Sequence, residues 1–261
     1  VVVSLAGRHR LTTLTGTGGC GKTSLALEVA RRIADVQECP VAWVELAGAR
    51  TSEQVLDLLL TGCGVGASPG TDRFEVLIHR LRALGPALLV VDNAEHLREA
   101  TAHAVVSLLS SCPALRVMIT SREPLGLADE AVRRVPSLSL PAKGTRSEVE
   151  LATSGAGDLL LQRVGAARLG LRLDARDVAA MVVICHRVDG LPLALELAAG
   201  RIRSLSPELV ATDLMAGQAS LETRGWTGSA RHRTMWASIA WSVDLLSERE
   251  SDSRFGDSPA S

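Results

Sequence analysis

Two hydrophobic patterns divide the chain. From Leu11 to about Leu140, short apolar runs alternate with amphipathic stretches; from Asp158 onward only helical spacing recurs. The runs Leu11–Leu14, Val41–Leu46, Ala87–Val91, Leu115–Thr120 and Val132–Val135 predict strands. Ala87-Leu88-Leu89-Val90-Val91 is unbroken, as in a strand buried on both faces of a parallel sheet. Between the strands, apolar residues three and four apart predict helices over 23–34, 52–60, 72–84 and 95–109. Such alternation implies an α/β fold with a doubly wound parallel sheet.

The second pattern predicts a small all-helical domain over 158–216. Its helices fall at 159–169, at 177–188 with Asp174 as cap, at 192–204 with Pro192 in the first turn, and at 207–216 capped by Ser206. The polar segment 141–157 reads as a linker, so the first domain is expected over 1–140. Residues 217–228 look irregular, Arg231–Leu246 reads as a last amphipathic helix, and 251–261 as a disordered tail.

The turn after the first strand carries the most specific chemistry. Gly16-Thr17-Gly18-Gly19-Cys20-Gly21-Lys22-Thr23 fits G-x-x-x-x-G-K-[ST], the phosphate-cradling P-loop, between a strand and a helix. Glycine lets the backbone curl its N–H groups inward around an anion, and the helix N-terminus adds free amides. Lys22 is expected to reach the β- and γ-phosphates, Thr23 to ligate Mg²⁺, and Ser24 to complete the nucleotide-binding set. Asp92, closing the apolar run, supplies the second Mg²⁺ acid at the strand end where ligands of open α/β sheets collect. Glu95 is the nearest carboxylate for activating water; a helix first-turn acid is its other reading. Arg122, after another buried strand, is placed to contact a γ-phosphate, or else is a solvated loop arginine.

Composition narrows the classes. The chain has 261 residues, 46% hydrophobic, and a net charge of −1, which fits a globular protein without an overall basic nucleic-acid surface. No apolar run reaches the length of a membrane span. Five scattered cysteines without CxxC spacing point to reduced thiols in a cytoplasm, and the six histidines show no metal spacing. Only two of the 28 basic residues are lysines, an Arg-for-Lys bias of a GC-rich, actinobacterial kind. Lys22 is one of the two.

In order, the chain holds LTTLTGTGGCGKTSLALEVA, ALLVVDNAEHL, RVMITSREPLGL, ICHRVDGLPLALELAAGRIRSLSPEL and RHRTMWASIAWSVDLLSERE. This combination resembles the NB-ARC-like signal-transduction ATPases (STAND class) of bacterial SARP and LuxR-type transcriptional regulators. The resemblance covers residues 10–250. It implies that Gly16–Thr23 is Walker A, that Asp92 closes Walker B, and that Arg122 reads the γ-phosphate. It also implies that Pro192, in Gly190-Leu191-Pro192-Leu193, touches the nucleotide from the helical domain. The implied activity is an ATP/ADP switch with slow hydrolysis, and with self-association or a regulator domain as partner. The resemblance further implies truncation at both ends: the Val-Gly-Arg segment before the P-loop is missing, 217–250 begins a winged-helix region, and no DNA-binding domain is expected. Two other readings stay open: an inactive fragment serving as an interaction piece, and a small-molecule P-loop kinase.

Overall fold

The structure is a computed structural model that describes residues 8–66, 72–167, 173–202 and 204–223. The expected helix over 231–246, the winged-helix start beyond 223 and the tail lie outside those residues. The chain divides into two compact units, Val1–Pro136 and Ser137–Ser261.

In the first unit the elements run β1 (Leu11–Thr15), α1 (Lys22–Gln37), β2 (Val41–Glu45), α2 (Ser52–Gly62), α3 (Arg73–Ala83), β3 (Ala87–Asp92), α4 (Arg98–Ser111), β4 (Leu115–Ser121) and β5 (Glu130–Arg134). The sheet order is β2-β3-β4-β1-β5, with every neighbouring pair parallel. The doubly wound α/β expectation is met. Thr15 pairs with Ser121, and Val91 with Ile119, so β1, β3 and β4 end together at one edge.

Side-chain alternation explains the layers. On β3, Leu88 and Val90 join Ala26, Val29, Ala30 and Ile33 of α1. Ala87, Leu89 and Val91 face the other way, onto Leu59 and Leu60 of α2, Leu77 and Leu81 of α3, and Leu108 of α4. Each buried leucine or isoleucine contributes about 1.5–3 kcal/mol. That two-sided burial is why β3 carries no polar residue before Asp92.

The helix expected from Glu95 starts later. Ala94–His96 forms a single 3₁₀ turn, and α4 begins at Arg98. Asn93, in the left-handed conformation (φ 63°), turns the chain out of β3 before a helix can form. Glu95 is therefore a first-turn acid of that 3₁₀ turn and not of α4. β5 starts at Glu130, two residues before the expected strand, because β1 offers it a full parallel ladder.

The second unit is helical among the described residues: α5 (Glu148–Leu151), α6 (Gly155–Ala167), α7 (Ala175–Arg187), α8 (Pro192–Ile202) and α9 (Pro207–Thr223). Segment 141–157, expected as linker, carries α5 and the start of α6. Ser147 caps α5 through the Glu150 amide, and Leu151 and Ala156 are buried. Residues 217–223, expected as irregular, continue α9. All five cysteines are reduced and buried; burial pushes the Cys63 thiol up to about 11 and the Cys185 thiol to about 12.

Candidate functional site

The loop from Gly16 to Gly21 joins β1 to α1 at the sheet edge where β3 and β4 also end. Its shape depends on glycine. A Cβ on Gly16 would lie 2.9 Å from both Cys20 Sγ and the Val135 carbonyl, and Gly21 starts α1 in the left-handed region (φ 91°). Cys20, at a variable position of the motif, is buried against Gly16.

Lys22 is the first residue of α1 and is only 9% exposed. Its Nζ donates to the Gly16 carbonyl (2.9 Å) and the Thr17 carbonyl (3.0 Å), holding the loop closed on itself. None of the ion pairs among the described residues includes it. A buried ammonium compensated by neutral carbonyls alone is costly unless an anion joins it.

Thr23 and Asp92 meet across the sheet edge. The Thr23 hydroxyl donates to the Asp92 carboxylate, 2.9 Å from one oxygen and 3.1 Å from the other. Asp92 is buried, and Thr120 Oγ1 donates to its Oδ1 at 2.5 Å. The same Thr120 oxygen accepts the Asn93 amide (2.9 Å), which fixes the turn out of β3. A hydroxyl and a carboxylate on one edge form a hard oxygen donor set, the kind that binds Mg²⁺ together with phosphate. The residues present thus fit a magnesium-bound nucleotide: the buried ammonium and the glycine cradle would meet the phosphates, and Thr23 with Asp92 would hold the metal.

Glu95 and Arg122 are brought together. Arg122 Nε donates to Glu95 Oε1 at 2.8 Å; the arginine is 57% exposed and the glutamate 11%. Glu95 Oε2 is buried and has no hydrogen-bond partner among the described residues. The loop after β4 is held independently of this pair. Glu130 accepts the amides of Leu125 and Gly126, each at 2.8 Å, and of Leu127 at 3.3 Å.

Of the predicted residues, Gly16 to Thr23, Asp92, Glu95 and Arg122 belong to the first unit, whereas Pro192 opens α8 of the second. Ser24 is the third residue of α1 and is exposed. Sequence reasoning gave Thr120 no role of its own. The signal was a polar residue closing the buried run of β4, as Asp92 closes β3.

Residues 6–124 match the family model described as AAA domain. The first unit has the P-loop NTPase fold. A Mycobacterium tuberculosis protein provisionally named an HTH-type transcriptional regulator is 38% identical over 248 residues, covering 95% of this chain and 26% of the relative. An uncharacterized protein of the same species is 36% identical, covering 92% of this chain and 58% of its own length. The chain thus spans about a quarter of one curated relative and little more than half of the other. Among solved structures, Drosophila ORC bound to DNA shares the fold, with a TM-score of 0.53 at 17% identity over 85% of this chain and 64% of that one. No helix among the described residues is long and apolar enough to cross a membrane.

Proposed function

We propose that this chain is the nucleotide-binding switch of a larger transcriptional-regulator-type protein, taking ATP or ADP with Mg²⁺ and hydrolysing ATP slowly. The observation that carries the reading is Lys22: an ammonium 9% exposed, under a glycine-built loop, with no carboxylate paired to it. In this reading Lys22 and the amides of Gly18 to Thr23 bind the phosphates. Thr23 and Asp92 hold Mg²⁺, and bound magnesium neutralises phosphate charge. Ser24 completes the cradle. Arg122 contacts the γ-phosphate, and Glu95 takes the proton of the attacking water.

The finer assignment is to the NB-ARC-like STAND switches, of the kind found in SARP and LuxR-type regulators. It is supported by the order of the motifs and by the helical unit that follows the P-loop segment. In that assignment Pro192 reports the phosphate state to the helical unit, and exchange of ADP for ATP promotes self-association or release of a regulator domain. The setting is the cytoplasm, consistent with five reduced cysteines. Calorimetric titration with ADP and with a non-hydrolysable ATP analogue, each with Mg²⁺, tests the reading. Micromolar binding of both is expected. A folded chain that takes neither at millimolar concentration overturns it and leaves the inactive-fragment reading.

A further inference from the structure

Four side chains tie the turn after β3 to the loop after β4. Arg122 pairs with Glu95 at 2.8 Å, and Arg98 pairs with Glu123 at 2.6 Å. The two pairs differ in burial. Arg98 and Glu123 are 40% and 70% exposed, an ordinary surface pair. Glu95 is 11% exposed, and Arg122 is its only hydrogen-bond partner among the described residues. Withdrawing Arg122 would leave a largely buried carboxylate uncompensated.

We infer that the Glu95–Arg122 pair is a latch on the phosphate site, so that a nucleoside triphosphate must take Arg122 from Glu95 and a diphosphate need not. This rests on the nucleotide reading above and adds a specificity-determining role for Glu95 before any proton transfer. Three observations support it. Arg122 is more than half exposed, so its guanidinium can turn without opening the core. The backbone beyond it is pinned by Glu130, so only a side chain has to move. Arg122 uses Nε alone on Glu95, leaving its terminal nitrogens for a bidentate contact with phosphate oxygens. While latched, the pair also occupies the carboxylate proposed to accept a proton, so sensing and proton transfer are released by one event.

The test measures the ratio of dissociation constants for ADP and a non-hydrolysable ATP analogue, which separates the latch from catalysis. Glu95→Gln keeps the shape and removes the charge; it should shift the ratio about fivefold toward the triphosphate. Arg122→Ala should shift it the other way, and adding Glu95→Gln to Arg122→Ala should change nothing further. Glu123→Gln, which breaks only the outer pair, should leave the ratio where it was. A ratio unmoved by Glu95→Gln overturns the latch. So does a gain that persists without Arg122, since direct repulsion between Glu95 and phosphate would then explain it. A parent chain that binds neither nucleotide overturns the underlying nucleotide reading, and the latch with it.

Discussion

Two helix starts, both preceded by a left-handed glycine, are built for opposite ends. Gly21 (φ 91°) immediately precedes α1, and Gly190 (φ 63°) lies two residues before α8. At α1 no side chain caps the first turn, no acid lies in it, and the first helical residue is Lys22. A cation at the positive end of a helix is unfavourable, and open amides are unsatisfied. Each of those costs becomes a gain once an anion arrives. At α8, Gly190 is closed on its own unit. Its carbonyl accepts the Leu138 amide at 3.0 Å, and a Cβ on it would lie 2.4 Å from the Leu138 oxygen. Pro192 then removes one amide that would need a partner. In the proposed function one glycine therefore serves a ligand site, while the other serves the chain's own packing. A glycine ahead of a helix does not by itself tell these apart; what surrounds the first turn does.

Removing the ammonium tests the α1 side of that contrast most severely. Lys22→Ala should weaken ADP and ATP several hundredfold, about 4 kcal/mol, by calorimetry. The fold should hold or gain slightly, because the helix start loses an unfavourable charge. Unchanged affinity would mean that the loop is a turn and not a cradle. The α8 side is tested by Gly190→Ala, which forces a Cβ into a left-handed residue and onto a backbone oxygen. The second unit should lose about 2 kcal/mol in a denaturant titration, with nucleotide affinity tracking only the folded fraction. Stability equal to the parent would remove the packing role given to Gly190. Thr120→Val should act on the first unit more mildly. It strips Asp92 of its buried donor and leaves the Asn93 amide without an acceptor, so magnesium-dependent ATP affinity should fall about tenfold. A loss of ADP binding in the absence of magnesium would instead place Thr120 in the phosphate cradle.

What the sequence disclosed follows from the range of each interaction. The P-loop is legible because strand, glycine turn and helix are contiguous, and the contacts of Lys22 to Gly16 and Thr17 are local. Asp92 is legible because a polar residue closing a buried run has few alternatives. The role of Thr120 and the pairing of Glu95 with Arg122 depend on β3 and β4 lying side by side, a contact between residues 28 and 27 positions apart. No periodicity encodes that. The four-residue helix α5 escaped for another reason. It is too short for a hydrophobic period to appear, and its cap Ser147 sits in a stretch whose composition reads as loop. The late start of α4 was hidden in Asn93, whose left-handed turn is a conformation the residue tolerates but does not announce.

The finest test of the contrast concerns charge at a helix start in the second unit. Where α1 leaves its amides open, α7 closes them. The Asp174 carboxylate accepts the amides of Arg176 (2.7 Å) and Asp177 (2.9 Å), and Asp177 returns a bond to the Asp174 amide. The amides of Asp177 and Arg176 favour the charged form, so the Asp174 pKa lies below its usual 3.8. A carboxyl whose pKa falls on folding stabilises the folded state above its unfolded pKa. That contribution fades as pH drops through the lower, folded value. Asn caps about as well as Asp but does not titrate. Asp174→Asn should therefore match the parent closely at pH 7 and lose less stability on acidification below 3.8, read as a flatter fall of the melting temperature of the second unit. Identical acid profiles would mean that the cap is satisfied as well by the protonated acid. The charge at the start of α7 would then matter less than the hydrogen bonds, and charge would lose its place in explaining why α1, with Gly21 at the cap position and Lys22 after it, is left without a side-chain cap.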